Sequence, residues 1–197
     1  MGKIICLMGK SSTGKDTIFR ELMRKEELHL KRIVPYTTRP VRAGEVQGKQ
    51  YFFVDEEEFQ NLYESGRVVE ERVYHTCHGL WRYFTVDDGR IDLKKDDYLV
   101  IGTLESFVKS REYFGEDKLI PVLIELDDGE RLQRALDREK SQDHPKYEEM
   151  CRRFLADSED FSEENIKKAG ISKRFYNGDL EQCIADITAY IMAQLEK

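Results

Sequence analysis

The sequence predicts an α/β chain built on a parallel five-stranded core sheet in three layers, and three observations carry that prediction. Short apolar runs alternate with amphipathic helical stretches, the rhythm of parallel strands joined by crossover helices. The first apolar run, Ile4-Ile5-Cys6-Leu7-Met8, leads directly into a glycine-rich turn and then a helical stretch, Ile18-Phe19-Arg20-Glu21-Leu22-Met23. Two segments interrupt the rhythm and read as attachments to the core, one within residues 35–90 and one at 138–150.

Taken in order, core strands are expected at Lys3–Met8, Arg32–Val34, Tyr98–Ile101, Leu119–Leu126 and Lys173–Tyr176. Helices are expected between them at Lys15–Glu27, Leu104–Tyr113, Asp128–Arg138, Tyr147–Asp160 and Leu180–Leu195. The last carries Ile184, Ile187, Ile191 and Leu195 at helical spacing, a stripe suited to lie on a sheet. Within 35–90, strand-like runs at Tyr51–Val54, Val68–Glu70 and Trp81–Val86 surround a short helix near Glu56–Glu64. That pattern describes a small mixed insertion able to hinge. The polar stretch 138–147, broken by Pro145, is a candidate lid.

The bulk numbers narrow the function classes. With 197 residues this is one domain that buries a real core. A formal net charge of -7 argues against a general nucleic-acid binder, which would carry a basic footprint, yet leaves room for a small anion in a pocket of arginines. The four cysteines form no Cys-x-x-Cys pair, and no run is long enough for a signal peptide or a membrane span. A cytoplasmic protein without a membrane partner, a monomer or homodimer, is the expectation. His75, Cys77 and His78 lack a fourth ligand at finger spacing and read as a pocket wall rather than a zinc site. The acidic runs Asp55–Glu58 and Glu159–Glu164 read as solvated helix starts.

The turn after the first strand is Gly9-Lys10-Ser11-Ser12-Thr13-Gly14-Lys15-Asp16-Thr17. Its spacing, Gly-x4-Gly-Lys between a strand and a helix, is that of a phosphate-binding P-loop. Gly9 and Gly14 let the backbone fold tightly enough to aim several N–H groups inward. The helix N-terminus adds positive potential, and Lys15 supplies an ammonium for β- and γ-phosphates. The position after the lysine ordinarily holds Ser or Thr as a Mg²⁺ ligand. Here it is Asp16, whose carboxylate is itself a good hard-cation ligand.

A second motif lies in Pro35–Tyr51. Arg39 and Arg42 stand three apart across Pro40, too irregular for a helix and able to converge on one anion. Thr37, Thr38 and Tyr51 add hydroxyls, and Gly44 and Gly48 permit close backbone approach. The pattern Thr-Thr-Arg-Pro-x-Arg-x-Gly-Glu-x-x-Gly-x-x-Tyr, followed by Phe53-Val54, resembles the GMP-binding segment of guanylate kinases. The order of P-loop, acceptor segment, acidic residue, lid and terminal helix extends the resemblance over most of the chain.

The resemblance implies a P-loop three-layer fold and direct in-line transfer of the γ-phosphoryl of ATP, with Mg²⁺, to GMP. It implies that Arg39, Arg42 and Tyr51 hold the acceptor phosphate and that Glu70 accepts from the guanine N1–H and exocyclic amine. Arg138 and Arg153 become the lid arginines that meet the transferring group, and Asn177 the residue beside the adenine. Set apart from the family, these two arginines read as surface ion pairs and Asn177 as an ordinary turn.

Departures from the family pattern are specific. Ile101 and Thr103 stand where acids are usual at the end of the third core strand, leaving Thr103 to hydrogen-bond the base. Tyr36 replaces a small hydroxyl residue of the acceptor site. The Gly-Lys-Asp ending of the P-loop resembles ribose 1,5-bisphosphate phosphokinases, so the same chemistry on another phosphorylated metabolite is the second reading. A silent guanylate-kinase-like binding module is the third; Lys15 and the lid arginines count against it.

Overall fold

The computed structural model describes residues 1–42, 44–76 and 79–196. In chain order these form β1 (Ile4–Met8), α1 (Lys15–Arg24), β2 (Leu30–Arg32), β3 (Tyr36–Thr37), β4 (Phe52–Phe53), α2 (Glu56–Glu64), β5 (Val68–Thr76) and β6 (Gly79–Val86). They continue with β7 (Asp97–Ile101), α3 (Leu104–Phe114), β8 (Leu119–Glu125), α4 (Asp128–Lys140), α5 (Tyr147–Asp160), α6 (Glu163–Lys168), β9 (Arg174–Tyr176) and α7 (Leu180–Leu195).

All five residues of β1 are buried, as a central strand covered on both faces requires. The first sheet runs β2-β7-β1-β8-β9 and every pairing in it is parallel. Alternation along β1 splits the core. Ile5 and Leu7 pack with Ile18 and Leu22 of α1 and with Ile187 and Ile191 of α7. Ile4, Cys6 and Met8 pack with Phe107 of α3 and with Phe161 and Ile166 around α6. Each such side chain taken fully out of water contributes about 1.5–3 kcal/mol. Chain order departs to opposite sides of β1, so the P-loop that follows it opens into the crevice where ligands bind in open α/β sheets.

The second sheet runs β4-β3-β6-β5, with β3 and β4 parallel and the other pairings antiparallel. Its own small core is Tyr36, Phe59, Leu62, Phe84 and Val86. Asp55 caps α2 by accepting from the Glu58 N–H, which explains the acidic run there.

The structure departs from the sequence expectations at several elements. The first helix ends at Arg24, not Glu27, because Lys25 turns extended and a 3₁₀ turn over Glu26–Leu28 buries Leu28 instead. The second core strand begins at Leu30, released from that turn by His29 in the left-handed conformation. A short strand, β3, forms inside the arginine-rich segment, and β5 runs six residues past Glu70 because β6 pairs along its length. The acidic run Glu159–Glu164 does hold a helix start, that of α6 capped by Ser162, although the sequence reading places no separate helix between Asp160 and the last core strand. Among the described residues no helix is long and apolar enough to cross a membrane.

Candidate active site

The loop after β1 is shaped by backbone geometry that few residues tolerate. Gly9 lies at φ +147 with its missing Cβ aimed at Ile124 O, 2.3 Å away. Gly14 lies at φ +93 against the Asn177 amide, and Ser12 between them is also left-handed at φ 64. Any side chain at Gly14 would push Asn177 off the loop. No side chain caps the N-terminus of α1 among the described residues, so its first N–H groups are left for an anion.

Lys15 curls back over this cradle, its Nζ donating to Lys10 O at 2.8 Å. Burial pushes its ammonium down to about 8, opposed by the Asp157 and Asp16 carboxylates and reinforced by Arg131 and Arg138. Thr13 donates to the same carbonyl at 2.9 Å, and Lys10 reaches Asp128 at 3.4 Å. Asp16 and Thr17 follow on the first turn of α1, Asp16 exposed at the loop's mouth. Asn177 donates from Nδ2 to Thr13 O at 2.7 Å. Two buried oxygens here, Ser12 Oγ and Asn177 Oδ1, have no hydrogen-bond partner, the condition of a polar site built for a ligand.

A clamp that sequence reasoning missed holds the other side of the loop. Arg131 of α4 is fully buried and donates from Nε to Ser11 O at 3.0 Å and from Nη2 to Asp157 at 3.2 Å. Asp157 of α5 in turn accepts from the Ser11 N–H at 2.6 Å. Arg131 also pairs with Asp128 and stacks over the Phe154 ring. Two helices are thereby tied to one P-loop residue. Only the full turn of α4 brings Arg131 there, so its sequence neighbours give no sign of it.

Arg138 and Arg153 stand beside the loop, lining one small cavity together with Ser11 and Ser12. Arg153 rests on Glu149 at 2.9 Å, a carboxylate that Arg152 and Arg153 hold down at about 2. On the far side of the loop a cavity of about 410 Å³ is lined by Lys10, Thr13, Leu126, Asp127, Arg131 and Tyr176.

The second sheet presents the acceptor segment. Arg39 is 3% exposed and forms two parallel bonds to Glu45, 2.6 and 2.7 Å, while Nε donates to the Tyr83 hydroxyl at 3.1 Å. Its guanidinium lies over the Tyr51 and Phe53 rings. Arg42 is exposed beside the Trp81 ring, and its N–H donates to the same Glu45 carboxylate at 2.9 Å. Glu45 thus organises both arginines. Its carboxyl is held at about 2, chiefly by the Arg39 hydrogen bonds.

Glu70 is buried at the join between the two sheets. It accepts from Thr85 Oγ1 at 2.8 Å and from Arg72 at 3.0 and 3.2 Å. Arg72, Thr85, Ile101, Gly102 and Ser106 line the same cavity. Tyr83, Thr85 and Arg72 are site residues the sequence reading passed over. They reach the site through strand pairing, Glu70 opposite Thr85 and Arg72 opposite Tyr83, which composition alone does not reveal. Two expected residues sit elsewhere. Tyr36 is packed into the second sheet's core with its hydroxyl donating to Asp88 at 2.6 Å, and Thr103 is engaged as the cap of α3 in a reciprocal pair with Ser106. Cys77 and His78 lie outside the described residues, and no cluster of metal ligands occurs among those described.

Comparison with known proteins agrees with this geometry. The guanylate kinase family model matches residues 1–78, the span holding both the P-loop and the acceptor segment. A guanylate kinase of Caldanaerobacter subterraneus subsp. tengcongensis is 31% identical over 98% of this chain and 88% of its own length. A guanylate kinase of Anaplasma phagocytophilum is 37% identical over a shorter match, 42% of this chain and 40% of its own. The crystal structure of guanylate kinase from Anaplasma phagocytophilum shares the fold, with a TM-score of 0.68 over 100% of this chain and 87% of that one, at 23% identity. With the Caldanaerobacter relative 31% identical over 98% of this chain, and with a P-loop beside an arginine-lined cavity, the chain belongs to the guanylate kinase family and is a nucleotide phosphotransferase.

Proposed function

We propose that the chain transfers the γ-phosphoryl group of ATP to GMP. What carries this reading is one face of the β5–β6 pair. Glu70, a buried carboxylate suited to two N–H donors of a base, lies two rungs from Tyr83 on the same face, and Tyr83 with Arg39 and Tyr51 forms a cradle for a phosphate. Base and phosphate of one nucleotide are thus provided for on a single strand pair, across a crevice from the P-loop.

Transfer of this kind needs no side-chain nucleophile. The protein positions two phosphates in line and neutralises the charge that spreads over the transferring group. Lys15 leaves Lys10 O for the donor phosphates, while the P-loop N–H groups and the α1 N-terminus hold them in place. Arg138 and Arg153, carried on α4 and α5 beside Ser11 and Ser12, converge on the transferring group. Asn177 and the cavity on the far side of the loop receive the donor base. Mg²⁺ fits the donor set: it keeps most of its waters and takes one or two carboxylates plus substrate phosphates, so Asp16 at the loop's mouth would suffice. Held there, it would supply neutralisation of the negative charge on the phosphates.

Residues 35–90 act as the acceptor-binding unit and 138–150 as the lid, closing together to exclude water and suppress hydrolysis of ATP. The place of work is the cytoplasm.

The test is steady-state phosphoryl transfer from Mg·ATP to GMP, dGMP, AMP, CMP, UMP and ribose 1,5-bisphosphate. GDP formation by the native chain, reduced on the order of a hundredfold or more in Lys15→Ala, is the expected result. No turnover of GMP beside rapid turnover of another acceptor would overturn the substrate assignment.

A further inference from the structure

The Glu70 carboxylate is nearly saturated before any substrate arrives. Oε1 accepts from Thr85 Oγ1 at 2.8 Å and from Arg72 Nη2 at 3.2 Å, and Oε2 accepts from Arg72 Nε at 3.0 Å. A carboxylate offers about four acceptor sites, so one remains, on Oε2, where a guanine needs two. The cavity beside it is only about 20 Å³, the room of one water. A base that makes two hydrogen bonds to Glu70 has to displace one of these donors, and Arg72, which holds two of the three bonds and spans both oxygens, lies directly on that carboxylate edge.

Arg72 cannot simply withdraw. Its side chain is 15% exposed and its partner's 1%, and it is the one cationic side chain lining this cavity among the described residues. A guanidinium deprived of its carboxylate in such a place needs another acceptor at once. Glu70 and Arg72 are two apart on β5 and face the same way, opposite Thr85 and Tyr83. The displaced N–H therefore meets whatever atom of the base lies next to the donors that Glu70 has taken. On guanine two acceptors flank those donors, O6 beside the ring N–H and N3 beside the amine, and O6 is the strong one, of the kind arginine reads.

Resting on the GMP assignment above, we propose that Arg72 is a specificity-determining residue of the acceptor-base pocket. It donates to the 6-oxo oxygen while Glu70 accepts from the adjacent ring N–H and amine. The pair reads acceptor, donor, donor in order along one edge of the base. A 6-amino purine reverses the first two, setting an amine against the guanidinium and a ring lone pair against the carboxylate, and is rejected by both. The rival role is a phosphate clamp, because Arg72 also lies within electrostatic reach of the Tyr51 hydroxyl.

The experiment compares kcat/KM for GMP, IMP and the ribonucleotide of 2,6-diaminopurine. The last keeps the 2-amino group and replaces the 6-oxo group by an amine. The native chain should prefer GMP to the diaminopurine nucleotide, and Arg72→Ala should shrink that preference about ten- to a hundredfold. The preference for GMP over IMP, which reports the 2-amino group, should change little in Arg72→Ala and collapse in Glu70→Gln. Arg72→Lys, which keeps a cation beside Glu70, should retain part of the 6-oxo preference. These ratios are independent of how much of each variant folds. An equal loss on all three nucleotides would make Arg72 a phosphate clamp or a structural ion and overturn the inference alone. A native chain inactive on GMP would overturn the assignment beneath it as well.

Discussion

In the free protein the Lys15 ammonium donates to a carbonyl of its own loop, and burial has pushed it down to about 8. A bound phosphate favours the charged form, so it raises that value on binding. Below about pH 7 the lysine is already protonated and binding takes up no proton from this group; near pH 9 binding draws one from solution. Affinity for ADP should therefore fall as pH rises through about 8. Calorimetry of ADP binding in two buffers of different ionisation enthalpy measures the uptake, and the same proton count at both pH values would exclude a titrating Lys15. Glu45 titrates in the opposite direction. Its ordinary value of 4.5 is lowered to about 2 by Arg39, so its contribution to stability is present above about 4.5 and is lost as pH falls through about 2. Glu45→Gln should flatten the melting temperature across that window. Freed of its partner, Arg39 should also bind the acceptor less well, raising its KM about tenfold. A KM equal to the native one would mean that Tyr83 and the aromatic rings alone hold Arg39 in place.

Among the elements, α5 carries two kinds of arginine contact that look alike on paper and differ in energy. Arg153 and Glu149 form an exposed pair one turn apart, worth about 0.3–0.5 kcal/mol. Arg131 and Asp157 are a buried pair on the P-loop, and removing one partner costs about 3–5 kcal/mol. Arg153→Ala should thus leave the melting temperature nearly unchanged and lower kcat on the order of a hundredfold, whereas Arg131→Met should lower the melting temperature first. A mutant pair with the two effects exchanged would reverse the roles assigned to them. The same contrast explains what was legible in the sequence. α5 and α7 were readable residue for residue, since local spacing defines both and Asp179 caps α7. The P-loop and the arginine-rich segment were readable because their chemistry is contiguous. Arg131, Arg72, Tyr83 and Thr85 were not, because each reaches the site through a distant partner: Ser11 for the first, the β5–β6 register for the others. Tyr36 misled for the converse reason, its sequence neighbours being site residues while its own ring turns into the core.

For the molecule as a whole, the proposed function puts the donor cradle on the five-stranded sheet and the acceptor cradle on the four-stranded one. Their join includes the buried Glu70 cavity, Lys109 of α3 donating to Glu71 O at 3.1 Å, and the Tyr113 hydroxyl donating to Asp87 at 3.2 Å. In-line transfer requires the reacting oxygens to come within about 3–3.5 Å, so the two sheets must approach each other about that join, with Arg138 and Arg153 following on the lid. A ligand that fills one cradle gives the other sheet no reason to move. A ligand that spans both does, since its linked phosphates draw Lys15 from one side and Arg39 from the other. An adenosine–guanosine bisubstrate joined by a chain of phosphates should lower the radius of gyration in small-angle X-ray scattering by a few per cent, while ADP alone leaves it near the free value. The full shrinkage with ADP alone would place the motion in the lid instead, and α4 with α5 would then close over the P-loop independently of the second sheet.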